Sequence, residues 1–461
     1  MVDEKTIIPL GSFLFPRIFQ AFRMAIQPSK LAIAFAAVTI ICVTGGIMDL
    51  TRTVIVAPNF ATTAPRGAAV GIPKDRGATE LDIYLLPDPS VRKNFVLSRR
   101  AFTGPDGASR TGVFSTLWRF GANEFHNAVY AILSGDVSGV ARSVTHGVKA
   151  LAWAFRWHTV YSIAFFAIAL IVLSMAGGAI CRIGALQFAQ AARPSLRQAV
   201  RFALQRPINL LGGPIGPVLL ILVFGVPIML LGLAGNIPIV GELLTGLLLL
   251  LAFGAACAAT ILLIGATAGL GLMFPAVAYE DSDSFDAINH SLSYVYAKPW
   301  HMGFYSIIAV VYGAVCYIFV RLFGFLLLWT TYRFLAIGFL GQNEKLHTIW
   351  PEPTFTSFLG TPGAMPHVWS MTVGAVLIRV WVLAVIGLMV SFIISFYFSA
   401  NTIIYALMRH GVDGTPLDEV YASPSEVPAE SIPLETGPDA AVSQPATEMN
   451  GGSGQALKTS E

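Results

Sequence analysis

Three ionisable residues lie within or at the edge of long apolar runs: Glu242, Arg321 and Arg379. A charge in the hydrocarbon of a bilayer is costly, so such residues face a partner, a cavity or a substrate pathway. Together they could form a polar cluster that binds an anionic group. The plainer alternative is that both arginines reach out to the interface while Glu242 sits in water. A second set, Glu280, Asp281, Asp283, Asp286 and His290, is the densest collection of metal-ligating residue types. Asp286 and His290 are four apart and would share a helix face. Acidic residues at a helix start also complement its dipole, and companion ligands are not identifiable. Capping is therefore the expected role, and neither a metal nor a cofactor is expected.

Catalytic motifs do not fill the gap. The chain has no GxxxxGK[ST], HExxH, GxSxG or strand-borne GxGxxG, the patterns that cradle phosphate, bind zinc or expose a nucleophile. Cys42, Cys181, Cys257 and Cys316 are far apart in apolar stretches, which suits packing rather than a disulfide framework or zinc site. An enzyme is not expected, although scattered residues such as Asp286 and His290 keep an intramembrane lipid enzyme as a third reading.

The elements that must position these residues are membrane spans. Of 461 residues, 55% are hydrophobic and 12% charged; soluble domains carry roughly 25% charged residues. The mean hydropathy is +0.68, and the net charge of +3 gives no argument for nucleic acid. Crossing the hydrocarbon takes about 20 mostly apolar residues. Such stretches are expected at about 31–49, 159–180, 210–234, 240–273, 302–339 and 371–407. The expectation is an all-α integral membrane protein of about six transmembrane helices, with an extramembrane loop region between the first two. Pro214, Pro217 and Pro227 are expected to interrupt the third span. The fifth region is too long for one perpendicular helix, so it should end near 321–329 and continue as an interfacial or tilted piece.

Residues 1–30 read as an interfacial segment, with Phe13, Phe15, Ile18, Phe19 and Phe22 beside Arg17 and Arg23. Residues 50–158 form a non-cytoplasmic loop region whose second half has helical apolar stripes, and 159–410 the bundle of about five further helices. Arg182, Arg193, Arg197, Arg201 and Arg206 crowd one short connector. Basic residues concentrate in short cytoplasmic loops, so both termini are expected in the cytoplasm and the protein in the cell membrane. Residues 411–461 are rich in Pro, Ser, Glu, Ala and Gly and read as a disordered tail.

The two cytoplasmic connectors are alike. Ser195 with Gln198 forms a capping-box pattern before Pro207, and Asp281-Ser282-Asp283-Ser284 offers N-caps to a helix ending by Pro299. The pattern of span, amphipathic helix, proline and span suggests an internal duplication. Gly212/Gly216 and Gly265/Gly269 keep the spacing that permits close helix approach.

The segment Phe274-Pro275-Ala276-Val277-Ala278-Tyr279-Glu280, with Ala287 to Ser291 and Pro299-Trp300, resembles polytopic bacterial membrane proteins grouped with the membrane domain of glycerophosphodiester phosphodiesterases. The resemblance covers about thirty residues. It implies a membrane module without hydrolase activity and carries over no catalytic residue. The function expected is a non-catalytic component that binds or organises a membrane assembly. A transporter or permease subunit for an anionic or lipid-like solute is the alternative. The bilayer is the expected environment, with protein partners or further copies of the chain as associates.

Overall fold

Proline opens the outgoing spans. At the first helical position it supplies the right φ and gives up only an N–H that would have no acceptor there. The computed structural model describes residues 14–57, 78–86, 109–192, 194–339, 343–360 and 368–421. A 3-10 turn over Phe15–Phe19 leads into α1 (Gln20–Ala25), and Pro28 then begins α2 (Pro28–Met48).

Beyond α2 stands a small sheet of β1 (Val54–Ala57), β2 (Ala78–Thr79) and β3 (Ser109–Thr111), antiparallel in the order β2-β1-β3. The α3 helix (Glu80–Leu85) follows β2, capped reciprocally by Thr79 and Asp82. Two long helices, α4 (Val113–Ser134) and α5 (Val137–Trp157), form an antiparallel pair joined by Gly135, whose left-handed φ of 71° favours a residue without Cβ. Val54, Leu81, Val113 and Trp153 make the core of this region. Asp49, at the end of α2, accepts from the backbone N–H of Phe114 (2.9 Å) and Ser115 (2.8 Å). It thus caps α4 with a negative charge where the helix dipole favours one.

The remaining spans are α6 (Thr159–Gln190), α8 (Pro207–Ala234), α9 (Val240–Glu280), α11 (Pro299–Gly338) and α13 (Trp369–Asp413). Short helices α7 (Leu196–Gln205), α10 (Ser284–Ala297) and α12 (Asn343–Ile349) lie between them. With α2, six helices among the described residues are long and apolar enough to cross a membrane, their most apolar stretches reaching mean hydropathies of 2.1–2.7. The chain is an all-α polytopic membrane protein.

Two expectations about the spans need correction. The α8 helix is continuous through Pro214, Pro217 and Pro227, and α11 runs unbroken for 40 residues. Backbone groups in an apolar setting have no water to turn to, so continuing the helix is the cheapest way to satisfy them. The tail boundary also shifts. Residues 414–421 pack back on the bundle: Val420 is buried, and the Tyr421 N–H donates to the Tyr279 carbonyl at 2.9 Å. The rest of the expected disordered tail lies outside the described residues.

The helix–proline–span geometry of the two connectors also occurs before the first span. A short helix precedes Pro28, Pro207 and Pro299, each of which begins a span. The returning spans α6, α9 and α13 end in left-handed residues Ala191, Asp281 and Gly414, with φ of 53°, 55° and 70°. These junctions gather at one end of the bundle, called here the terminal end, where the main core lies. The Ser195 and Asp283 caps expected from the sequence both form.

Glycines seat α10. Gly212 and Gly216 on α8 face Ser284 and Ile288, while Gly265 and Gly269 on α9 face Leu292, Tyr296 and the Ser291 backbone. Both small-residue pairs therefore serve packing inside this chain. The same helices are bare elsewhere. Only 6% of the most apolar stretch of α8 and 0% of that of α9 is buried, against 22–39% for the other four spans.

Candidate functional site

Arg321 is 6% exposed and has no carboxylate partner among the described residues. Its Nη1 donates to the Tyr317 hydroxyl oxygen (3.1 Å) and its Nη2 to the Phe355 carbonyl (2.7 Å). The guanidinium lies 5.0 Å from the centroids of both Phe355 and Phe358. A buried cation needs compensation, and here neutral oxygens and ring faces supply it. Tyr317 in turn meets His126 Nε2 at 3.1 Å, and His126 Nδ1 meets the Ala122 carbonyl at 2.6 Å. The directions are consistent in one tautomer: Nδ1–H donates to Ala122, and Nε2 accepts from Tyr317. This chain ties α4 and the segment before Gly360 to α11. Burial, with the nearby Arg321 charge, holds the His126 pKa below its ordinary value.

The cluster of Glu242, Arg321 and Arg379 is not assembled. Glu242 and Arg379 are exposed, and the Arg321 hydrogen bonds go to Tyr317 and Phe355. The reason is packing: α9 leans on α8, α10, α6 and α13 but makes no extensive contact with α11. Glu242 is therefore carried away from Arg321 on the bare hairpin.

A denser polar centre lies at the terminal end. Glu280 Oε1 accepts from the Tyr405 hydroxyl (2.6 Å) and faces Arg409 Nε (3.2 Å), while Oε2 lies 3.5 Å from His290 Nε2. The Tyr405 ring meets those of Tyr279 (5.6 Å) and Tyr294 (5.5 Å). Tyr294 donates to Asp413; burial and this carboxylate raise the phenol pKa. Arg409 also donates to the Glu419 carbonyl at 2.8 Å, holding the chain after Gly414. Nearby, Arg206 pairs with Asp281 through both ends of its fork, and the Arg206 and Arg182 guanidinium groups lie 4.4 and 4.8 Å from the Phe202 centroid. Arg182, 1% exposed, donates to the Ala278 carbonyl at 2.7 Å.

These contacts account for the acidic set. Glu280 and Asp281 are ion-paired, and Asp283 caps the Asp286 N–H at 2.9 Å. Among the described residues no group of three His, Cys, Asp or Glu side chains could hold a metal ion. The arrangement ties helix ends together and places a carboxylate amid two basic groups and three phenol rings.

Sequence reasoning missed Lys30, Arg182, Tyr405 and Arg409. Lys30 is buried with its Nζ 3.4 Å from Ser399 Oγ, and Ser395 donates to the Ala25 carbonyl at 2.8 Å. The signal was a serine every fourth residue, Ser391, Ser395 and Ser399, in an otherwise apolar span. Such small polar residues bond between helices where no water competes. Arg182 read only as part of a basic loop, because a charge count does not distinguish a solvated arginine from a buried one.

No family model matches this chain, and no curated protein or solved structure is significantly similar to it.

Proposed function

We propose that the protein is a non-catalytic, multi-pass component of the cell membrane that binds or organises partners, with both termini in the cytoplasm. The observation that carries the reading is the bare α8–α9 hairpin. The other four spans bury 22–39% of their most apolar stretch, whereas this pair buries almost none of it, and Leu250 and Leu251 are 82% and 76% exposed. In a bilayer lipid alone can cover such a surface, but helices whose most apolar stretches meet no other span are well placed to accept further helices. The membrane-module role implied by the resemblance of residues 274–300 fits this reading, as does the use of the charged residues at the terminal end in fastening helices.

A photo-crosslinking side chain at position 250 in cells tests it, with position 272, which is buried, as control. Expected is a discrete protein adduct from position 250 only: two tagged copies for a homo-oligomer, or one copy with a second protein for a mixed assembly. Lipid adducts alone, with a clean monomer in mild detergent, would overturn it. Cytoplasmic termini are read from the basic 182–206 connector, and a C-terminal reporter active only in the cytoplasm checks them.

The permease reading for an anionic or lipid-like solute keeps one supporting observation: Lys298, His301 and His410 line one cavity at the terminal end. Flux in proteoliposomes is its test, and absence of flux across a panel of anionic solutes removes it.

A further inference from the structure

A cavity of about 470 Å³ opens at the terminal end between the segment before α1, the start of α11 and the end of α13. Its ionisable lining among the described residues is Lys298, His301, His410 and Tyr305, with Leu14, Leu407 and Met408 supplying apolar wall; no carboxylate among the described residues lines it. Lys298 Nζ is anchored on the Gly411 carbonyl, and an ammonium group has three donors. His410 Nδ1 lies 2.8 Å from the Thr415 carbonyl, which fixes the ring. The α11 helix begins here without a side-chain cap, so its positive end adds to the basic groups. Tyr305 is an independent pointer. It is only 5% exposed, lines the cavity, and has no hydrogen-bond partner for its hydroxyl among the described residues. The hydroxyl is open to the cavity, so an oxygen of a ligand held there can take the place of water as its acceptor.

We propose that this cavity binds a phosphate ester, with the basic groups and the Tyr305 hydroxyl on the phosphate oxygens and the apolar wall against the attached chain. The volume is in the range of small-molecule sites and exceeds what a bare phosphate fills. Trp300, 88% exposed beside Lys298 and His301, is the residue type that sits at headgroup level. The source favoured is therefore the headgroup of an anionic phospholipid. This inference does not depend on the bare hairpin or on the assembly reading.

The full-length protein in nanodiscs of phosphatidylcholine, with or without phosphatidylglycerol, supplies the test. Native mass spectrometry counts the lipid retained. Lys298→Gln and His301→Gln alter the site, Tyr305→Phe removes one hydroxyl with little risk to folding, and Arg119→Gln changes an exposed distant charge. Expected is selective retention of phosphatidylglycerol, unchanged in Arg119→Gln. It should fall about tenfold in the Lys298→Gln/His301→Gln pair, the scale of one lost charge-assisted contact, and severalfold in Tyr305→Phe. Thermal stabilisation by glycerol phosphate with the same variant dependence, and without lipid retention, would support the phosphate chemistry and identify a soluble ester as its source. Retention that survives in both site variants, or no response to either probe, would overturn the proposal.

Discussion

Arg182 on α6 donates to the Ala278 carbonyl of α9 at 2.7 Å, joining the ends of two returning spans that lie 96 residues apart in the chain. The carbonyls in the last turn of a helix lack intrahelical donors and carry partial negative charge, so a cation there satisfies and balances them together. The ends of α6 and α9 are held together by this contact, and the start of α8 is tied to the end of α9 by the Arg206–Asp281 pair.

Replacing Arg182 with Met keeps most of the apolar stem but removes the cation. A hydrogen bond from a charged group contributes about 1.5–3 kcal/mol, and Ala278 would lose its donor in a buried place. The expected outcome is a loss on that scale in reversible unfolding in mild detergent. Arg182→Lys should recover part of it.

Glu280 and Arg409 should be energetically coupled. Both side chains are largely but not fully buried, at 19% and 14% exposure, so solvent screens the pair in part. A double-mutant cycle with Glu280→Gln and Arg409→Gln is expected to return a coupling of about 1–2 kcal/mol. A near-zero value would mean that Tyr405 and His290 alone hold Glu280.

His126 gives the loop region a pH dependence. Its pKa is lowered in the folded protein, so the unfolded chain binds the proton more readily. Its contribution to stability is thus fully present above the ordinary histidine value and is lost as the pH falls below that value through the folded one. Protonated Nε2 could no longer accept from Tyr317 and would face Arg321. Acidification from neutral pH should raise the protease sensitivity of α4–α5, and His126→Gln should flatten that response.

The glycine seats of α10 set a steric limit. A Cβ at Gly269 would come 3.3 Å from the Ser291 carbonyl oxygen, and one at Gly265 would come 2.7 Å from the Leu292 and Tyr296 side chains. Gly269→Ala should be mild. Gly269→Leu should cost about 1–3 kcal/mol as overpacking and expose the 281–298 connector to limited proteolysis.

The number of spans, the proline starts at Pro28, Pro207 and Pro299, and the Ser195 and Asp283 caps were all legible in the sequence. Each depends on residues within a few turns of one another: apolar length, a ring that fixes φ, a side chain three positions from the N–H it accepts. The distribution of the charges was not legible. Hydropathy marked Arg321 and Arg379 alike as ions in apolar runs, yet one is buried against Tyr317 and Phe355 and the other is exposed. Arg182 counted with the basic connector, yet it is among the most buried side chains. Proline in α8 looked like a break, yet the helix carries through. These outcomes rest on which helices pack together, and a buried charge takes its partner from whatever backbone or ring the packing brings within reach. Local chemistry fixed the helices and their ends; only the tertiary arrangement decided that Arg182 meets Ala278 while Glu242 and Arg321 stay apart.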